Sequence, residues 1–431
     1  MPVRLDTREK DFAARFDAFL ATKREAAADV EAAVRAIIAD VAARGDRALV
    51  ELSEKFDRVD LRKIGIKVEP SEFDSAFAAV DAKVRSALEF AKERIEAHHR
   101  RQKPEDLHYT DALGVELGHR WTPIEAVGLY VPGGTAAYPS SVLMNALPAK
   151  IAGVERLVIV VPAPDGKLSP LVLAAAKLAG VSEVYRVGGA QAIAALAYGT
   201  ETIAAVAKIV GPGNAYVAAA KRLVFGKVGI DSIAGPSEVL VLADAGANPD
   251  WIAADLLAQA EHDPAAQPIL VTPDAKLAEA VERAVARQLQ SLPRAEIAGA
   301  SWRDFGAVIL VHEMNEAPAL IDRIAPEHCE IIAADADRFA TRVRNAGAIF
   351  IGAHTPEAIG DYVGGSNHVL PTARAARYAS GLSVLDFMKC TSILKCGPTQ
   401  LEKLAPAAIA LGRAEGLEAH ARSLEIRLKR D

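Results

Sequence analysis

From about residue 125 onward, short apolar segments alternate with longer helical segments along the chain. Two strands that are joined through a helix form a parallel pair, because the helix carries the chain back across one face of the sheet. The short segments are almost wholly apolar, which is typical of strands that are covered on both faces. The alternation therefore predicts parallel sheets enclosed by helices.

The alternation falls into two series, which predict two similar modules. In the first series, the predicted strands are 126–131, 156–162, 183–187 and 207–210, and the predicted helices are 140–151, 170–179, 190–198 and 214–225. In the second series, the predicted strands are 238–243, 268–272, 307–311, 329–333 and 348–351. Each series predicts a doubly wound, incomplete Rossmann-like module with a parallel sheet, so the predicted fold class is α/β.

The first hundred residues are predicted to be mostly helical, and a further helical segment closes the chain. The predicted organisation is an N-terminal arm at 1–24, a main α/β domain made of 25–128 and 238–381, an inserted α/β domain at 129–237, and a helical C-terminal tail at 382–431. The last part of the main domain is rich in glycine, serine and proline. Residues 354–381 are predicted to form a long loop, and a loop of that length usually has a function.

Composition excludes several classes of protein. The 431 residues are 51% hydrophobic and 25% charged, and the net charge is −6 with both signs interspersed, which argues against a nucleic-acid partner. No apolar run reaches the roughly 18 residues of a membrane span, and no signal peptide is expected. The cysteines Cys329, Cys390 and Cys396 are odd in number and lack CxxC spacing, which predicts reduced thiols in a cytoplasmic protein.

Three glycine-rich turns follow strands of the first series, at 128–135, 187–191 and 211–214. Glycine there lets backbone N–H groups approach an anion at a helix N-terminus, and ligands of parallel sheets bind at that edge. The turns therefore favour a nucleotide, although no G-x-G-x-x-G pattern is present and ordinary turns remain an alternative. A fourth turn, 234–238, joins the two modules, and Ser237 either faces the cleft between them or belongs to a plain turn.

A helix is predicted from Trp251, with Asp250 as its N-cap, and Gln259 and His262 lie on or beside its apolar face. A solvated helix end would explain one isolated Gln-x-x-His pair. The second half of the chain, however, contains three more histidine-centred clusters, at 326–328, 360–368 and 416–420.

Gln259, His262, Asp361 and His420 together would supply two nitrogen and two oxygen ligands. Such a mixed set suits Zn²⁺, with Mn²⁺ or Co²⁺ as substitutes. Asp361 is the only anion among them, so the metal would keep its positive charge and Lewis acidity.

Glu327 and His328 lie together at the start of a predicted strand. An adjacent carboxylic acid and imidazole can perform acid/base chemistry in two different steps, although Glu-His pairs are common. Cys329 follows His328 directly, but a nucleophilic role is not expected because neighbouring residues of a strand point to opposite faces.

In this order the motifs resemble those of histidinol dehydrogenases. The resemblance is carried by Tyr130-Val-Pro-Gly-Gly-Thr, Val187-Gly-Gly-Ala-Gln, Gly211-Pro-Gly-Asn, Ala234-Gly-Pro-Ser-Glu, Leu256-Leu-Ala-Gln-Ala-Glu-His, Ala325-Pro-Glu-His, Gly360-Asp-Tyr-Val-Gly-Gly-Ser-Asn-His and Glu415-Gly-Leu-Glu-Ala-His. It extends over residues 25–425, which is nearly the whole chain.

The resemblance implies an NAD-dependent enzyme with one Zn²⁺ per subunit that oxidises L-histidinol to L-histidine through an aldehyde, in the last step of histidine biosynthesis. By motif match, His328 would be the base for the hydroxyl proton and Glu327 would activate water for the second oxidation. The implied zinc ligands are Gln259, His262, Asp361 and His420. The implied substrate contacts are Ser237, His368 and Glu415 together with His328 and the zinc ligands. The implied NAD contacts are Tyr130, Gln191 and Asn214.

The resemblance also implies a homodimer in which the C-terminal tail of one subunit completes the partner's site with Glu415 and His420. The sequence departs from the family at Cys329, where leucine is usual, and a buried cysteine behaves as a small apolar residue. No cysteine lies in the first half of the chain, which argues against a thiohemiacetal intermediate. The alternatives are a related enzyme for another small polar alcohol such as a sulfonated diol, a zinc hydrolase, and a zinc-stabilised assembly protein.

Overall fold

The computed structural model describes residues 1–22, 29–133 and 138–429. The strands are β1 (Val3–Asp6), β2 (Leu107–Thr110), β3 (Glu116–Pro123), β4 (Ala126–Tyr130), β5 (Arg156–Val160), β6 (Glu183–Tyr185), β7 (Lys208–Val210), β8 (Gly229–Ile230), β9 (Glu238–Ala243), β10 (Gln267–Thr272), β11 (Ala307–Leu310), β12 (His328–Ile332), β13 (Ala348–Ile351) and β14 (Met388–Lys395). They form two parallel sheets and one antiparallel sheet. The parallel sheets confirm the predicted α/β class with two modules.

The two parallel sheets have the same winding. The smaller has the order β6-β5-β4-β7-β8 and the larger has the order β1-β11-β10-β9-β12-β13. In each sheet the chain moves outward from a central strand and then returns to that strand's other side. The direction of winding therefore changes between β4 and β7 in the smaller sheet, and between β9 and β12 in the larger one.

Helices cover both faces of both sheets. They are α1 (Phe12–Leu20), α2 (Asp29–Arg44), α3 (Asp46–Asp57), α4 (Leu61–Ile64), α5 (Pro70–Ala79), α6 (Ala82–His99), α7 (Pro139–Ala152), α8 (Pro170–Leu178), α9 (Gly189–Tyr198), α10 (Ala215–Val224), α11 (Pro249–Ala260), α12 (Ala275–Leu289), α13 (Ala295–Asp304), α14 (Ala317–Ile324), α15 (Ala336–Ala340), α16 (Glu357–Tyr362), α17 (Pro398–Ala414) and α18 (Glu418–Leu428). Among the described residues, none of these helices combines the length and apolarity needed to cross a bilayer.

The first residues belong to the larger sheet. β1 pairs in parallel with β11, and the buried side chains of Leu5, Phe16 and Phe19 pack in the same core as that strand. The described part of the predicted arm, 1–24, is thus joined to the sheet. β1 is short and mostly exposed, so its sequence lacks the apolar run that identifies a covered strand.

The early helices pack on a different sheet from the one expected. α2 and α3 cover one face of the smaller sheet and α5 and α6 cover the other, whereas the predicted organisation groups 25–128 with the larger module. Amphipathic spacing identifies which face of a helix is apolar, but it carries no information on which sheet that face covers.

The antiparallel sheet was missed by the sequence analysis. β3 pairs with both β2 and β14, so the segment 382–431, predicted as a helical tail, also contains a strand. Nearly every residue of β14 is exposed in the single chain. A strand without an apolar run gives no sequence signal, and this one is held by pairing with a distant segment.

Candidate active site

The turn between α14 and β12 places the predicted acid/base pair. α14 ends at Ala325, whose φ of 49° is in the left-handed region, and Pro326 prevents the helix from continuing. Glu327 and His328 follow at the amino end of β12, and the two residues are 6% and 4% exposed. They lie beside the first residue of β9, so they stand at the point where the winding of the larger sheet changes.

Backbone contacts fix the imidazole of His328. Its Nδ1 lies 3.0 Å from the carbonyl oxygen of Glu238, which can only accept, so we assign the proton of the neutral ring to Nδ1. Its Nε2 is buried, has no hydrogen-bond partner among the described residues, and lies 3.7 Å from Oδ1 of Asp361. An unpaired buried polar atom costs about 1–3 kcal/mol, so this unpaired nitrogen indicates a functional group rather than a structural one.

Three acidic side chains lie around His328. Burial alone would lower the pKa of His328, but the carboxylates of Glu357, Glu327 and Asp361 raise it well above its ordinary value. Burial raises the pKa of Glu327 to about 7, although His328 acts in the opposite direction. Oε2 of Glu327 also accepts the backbone N–H of Glu238 at 3.0 Å. A carboxyl group with that pKa can both accept and release a proton near neutral pH.

Helix α16 supplies two acids to the site from one turn. Glu357 and Asp361 are four residues apart and therefore lie on the same face of the helix. Burial would raise the pKa of Asp361, but His328, His368 and His262 lower it below its usual range. The structure thus brings three of the predicted histidines around an ionised Asp361.

The remaining substrate candidates of the larger module are close to this group. Nδ1 of His368 lies 3.0 Å from the backbone carbonyl oxygen of Asp361. Ser237 is half-buried directly before Glu238, and its carbonyl oxygen accepts the backbone N–H of Gln267 at 2.9 Å.

The N-cap of α11 is Asn248 rather than the predicted Asp250, because Pro249 can occupy the first helical position and the Asn248 side chain accepts the N–H of Asp250 at 2.8 Å.

Glu415 and His420 are not brought to this cluster within one chain. Both are exposed, at the end of α17 and on α18, and these two helices pack on each other. Among the described residues, no hydrogen bond or ion pair connects either side chain to Asp361 or His328.

The cofactor candidates lie at the carboxyl edge of the smaller sheet. Tyr130 ends β4, and its hydroxyl accepts the backbone N–H of Gly189 at 3.2 Å. Gln191 is buried in the first turn of α9, and Asn214 caps α10 after β7, accepting the N–H groups of Tyr216 and Val217 at 3.1 Å. Tyr130 and Asn214 thus flank the change of winding between β4 and β7, where nucleotides bind in such sheets.

A buried ion pair holds the turn before Asn214. Lys221 pairs with Asp231; Lys221 Nζ donates to the carbonyl oxygen of Gly211 at 3.0 Å, and Asp231 accepts the Gly211 N–H at 2.8 Å. Gly211 has a φ of 112°, and a Cβ there would lie 2.2 Å from the carbonyl oxygen of Tyr130. The turn therefore lies so close to β4 that only glycine fits at position 211. Residues 134 and 135 of the first predicted glycine-rich turn lie outside the described residues.

Two buried acids of the site were missed by the sequence analysis. Glu357 and Glu330 are 2% and 1% exposed, and the backbone N–H of Glu357 donates to Oε1 of Glu330 at 2.6 Å. Burial, and secondarily Asp255, raises the pKa of Glu330 to about 9, and burial raises that of Glu357 to about 8. The only available signal for Glu357 was the length of the predicted loop at 354–381, and Glu330, on β12, gave no signal because neither glutamate belongs to a histidine-centred motif.

The residues present suit a zinc ion. His328, Glu357 and Asp361 each offer a ligand atom within 4.8 Å of the others, and of the four predicted ligands only Asp361 belongs to this group. The amide of Gln259, buried at 1% exposure, lies against Glu357, and His262 is near enough to lower the pKa of Asp361. Nitrogen and oxygen donors around one ionised carboxylate match the ligand chemistry of Zn²⁺.

The family model for histidinol dehydrogenase matches residues 20–428. The chain belongs to the histidinol dehydrogenase family. It is 69% identical to the histidinol dehydrogenases of Bradyrhizobium diazoefficiens and Rhodopseudomonas palustris, over 99% of this chain and 99% of each relative. The crystal structure of histidinol dehydrogenase from Elizabethkingia anophelis superposes with a TM-score of 0.94 at 34% identity, and covers 99% of this chain and 98% of that one.

Membership in the histidinol dehydrogenase family makes the chain an oxidoreductase, as the motifs predicted. The burial of Cys329 explains how cysteine can occupy a position where leucine is usual in the family. That side chain is fully buried, and burial raises the pKa of its thiol, so it behaves as an apolar residue rather than as a nucleophile.

Proposed function

We propose that this chain oxidises L-histidinol to L-histidine with NAD and zinc, in the last step of histidine biosynthesis. The observation that carries the proposal is the buried, unpartnered Nε2 of His328 beside Asp361 and Glu327, in a chain that belongs to the histidinol dehydrogenase family. A base next to an acid that titrates near neutral pH suits a reaction with two proton-transfer stages.

The proposed zinc ligands are Gln259, His262 and Asp361, with His420 from a second subunit. The proposed NAD contacts are Tyr130, Gln191 and Asn214, at the change of winding of the smaller sheet. When bound, NAD would supply the hydride acceptor for each oxidation, and zinc would help to hold the substrate.

In its neutral form, His328 would remove the hydroxyl proton with Nε2 in the first oxidation; because the neighbouring carboxylates raise the pKa of the ring, the population of this form increases as the pH rises. Its Nδ1 proton stays directed at the carbonyl oxygen of Glu238, which holds the ring in the orientation that leaves Nε2 free. Glu327 would remove a proton from the water that adds to the aldehyde, because burial places its pKa near neutrality. Ser237, His368 and Glu415 would position the substrate.

The exposed surface supports the proposed homodimer. The antiparallel sheet and the two C-terminal helices expose several large apolar side chains: Tyr109, Leu113, Ile393, Leu394, Leu411, Leu417 and Ile426. Apolar area of this kind favours association, and a symmetric pair would bury the same face of each subunit. Glu415 and His420 lie in the same exposed region, so a partner subunit is the proposed route by which they reach an active site.

Purified, zinc-loaded protein should form two NADH for each L-histidinol consumed, and a chelator should abolish the reaction. Absorbance at the NADH band measures the stoichiometry, and a sulfonated diol is the matched second substrate. Turnover of the diol alone would assign a related dehydrogenase activity to the same site. No NADH from either substrate would contradict the proposal.

Glu327→Gln should slow the oxidation of histidinal by about 10²–10⁴-fold, the usual contribution of a general base, and should slow the oxidation of histidinol less. Glutamine keeps the shape of the side chain but cannot take a proton from water. The two steps are measured separately by supplying each substrate, and Glu296→Gln on the exposed surface of α13 is the matched control. Equal losses in both steps would contradict the water-activating role.

A further inference from the structure

Glu357 forms a buried contact with Gln259 that the proposed function does not use. The Gln259 amide lies 3.1 and 3.2 Å from the two carboxylate oxygens of Glu357. With its nitrogen toward Glu357, the amide donates to both oxygens of the ionised carboxylate, whereas the reverse orientation would place its oxygen against two acceptor oxygens. Both carboxylate oxygens are at almost the same distance, as expected when both accept.

We propose that Glu357 is a positioning residue that turns the carbonyl oxygen of Gln259 toward the metal. This inference rests on the proposed function, in which Gln259 is a zinc ligand. An amide has one ligand atom, its oxygen, and an amide free to rotate would present its nitrogen half of the time. With the nitrogen held by Glu357, the oxygen faces away from the carboxylate and is available to bind a cation.

Glu357 is itself held in place. Its backbone N–H donates at 2.6 Å to Glu330, which lies on β12 two residues after His328 and therefore on the same face of that strand. Its Oε2 lies 3.7 Å from Nδ1 of His328, beyond hydrogen-bond distance, so it acts on that ring through its charge. One carboxylate thus connects the proposed base to a proposed ligand.

The amide nitrogen of Gln259 also lies 3.0 Å from Nδ1 of His328. That ring nitrogen accepts from the amide only in the tautomer that carries its proton on Nε2, whereas the oxygens of an ionised Glu357 accept in either tautomer. Glu357 is then the acceptor that fixes Gln259. His328, Glu357 and Asp361 have the spacing of a metal site, but the carboxylate of Glu357 is engaged by the amide of Gln259.

Glu357→Gln is expected to weaken zinc binding by about 10–100-fold, as for other residues that orient a metal ligand. Zinc affinity is measured by competition with a chromogenic chelator on full-length protein. Glu261→Gln is the matched control, because it removes one negative charge beside His262 without contacting the amide; its zinc affinity should stay within about threefold of wild type. Thermal unfolding of the zinc-free proteins checks that each variant folds.

The exchanged pair separates positioning from loss of charge. In Glu357→Gln/Gln259→Glu, the new amide at 357 donates to a carboxylate at 259, whose second oxygen again faces the metal. We expect this double variant to regain most of the zinc affinity that Glu357→Gln loses and to bind zinc more tightly than Gln259→Glu alone, which carries the same new carboxylate without an amide at 357 to position it. Recovery supports the proposal even if the single variant unfolds, and failure to recover in a folded double variant contradicts it.

Two outcomes distinguish this inference from the proposed function. Tight zinc binding by wild type that is unchanged in Glu357→Gln would overturn the positioning role and leave the proposed function standing. Absence of zinc binding by wild type would overturn both.

Discussion

Asp361→Asn is expected to reduce zinc affinity by more than about 100-fold and to abolish histidinol oxidation in the same protein. Asp361 is the one ionised group among the proposed ligands, and three histidines hold its pKa below the usual range. An asparagine keeps the shape and one oxygen but removes the negative charge that attracts the cation. The amide also leaves the Nε2 side of His328 without its nearest anion.

The measurement is zinc content after dialysis, followed by NADH formation with added zinc. Asp337→Asn, on the exposed surface of α15, is the matched control and should match wild type in both. The zinc-free unfolding temperature of Asp361→Asn should fall modestly, because the histidines that lower the pKa of Asp361 lose their anion while the loss of repulsion from Glu357 and Glu327 offsets part of the effect. An inactive Asp361→Asn protein that still retains stoichiometric zinc would contradict the proposed ligand role.

Heterodimers of two inactive variants, His420→Ala and His328→Ala, are expected to recover activity. If His420 serves the partner subunit, each heterodimer contains one site with both residues intact and one site with neither. Its activity should then be about half that of a wild-type dimer, since a two-fold symmetric dimer has two equivalent sites. His420 is exposed in the single chain, and among the described residues it makes no hydrogen bond or ion pair with His328, Glu357 or Asp361. We therefore expect it to act in the site of the partner subunit.

Co-expression with two different affinity tags, followed by purification on both, isolates the heterodimer. Each parent homodimer, carrying both tags in the same way, is the control and should be inactive. A heterodimer without activity would indicate that each site is built from one chain. Lys429→Ala on the same tail is the matched control for disturbance of the surface, and a Lys429→Ala protein should be fully active.

Much of the fold was predictable because the strands of the parallel sheets are covered on both faces. β9 and β13 begin and end at the predicted residues, and β4 begins at its predicted residue. β1 and β14 were missed because they are exposed edge segments that lack an apolar run. The cap of α11 was misplaced by two residues, since Asn248 and Asp250 are both good caps and the position of Pro249 decided between them.

The residues of the candidate site were likewise predictable only in part. Side chains with unusual chemistry in ordered motifs, such as His328 and Asp361, were visible in the sequence, and the structure brings them within 3.7 Å. Glu357 could not be recognised from the sequence, because a glutamate in a long loop has no distinctive spacing. Its burial against Gln259 results from the packing of α16 on α11 and β12.

The amino-acid sequence by itself determined the alternation of strands and helices, the residue types available for metal and acid/base chemistry, and the family to which the chain belongs. These are properties of local spacing and of ordered motifs. The tertiary structure alone decided which strands are neighbours, which sheet the early helices cover, and which nitrogen of His328 is free. Each of these depends on hydrogen bonds and burial between residues far apart in the sequence, such as His328 with Glu238 and Gln259 with Glu357.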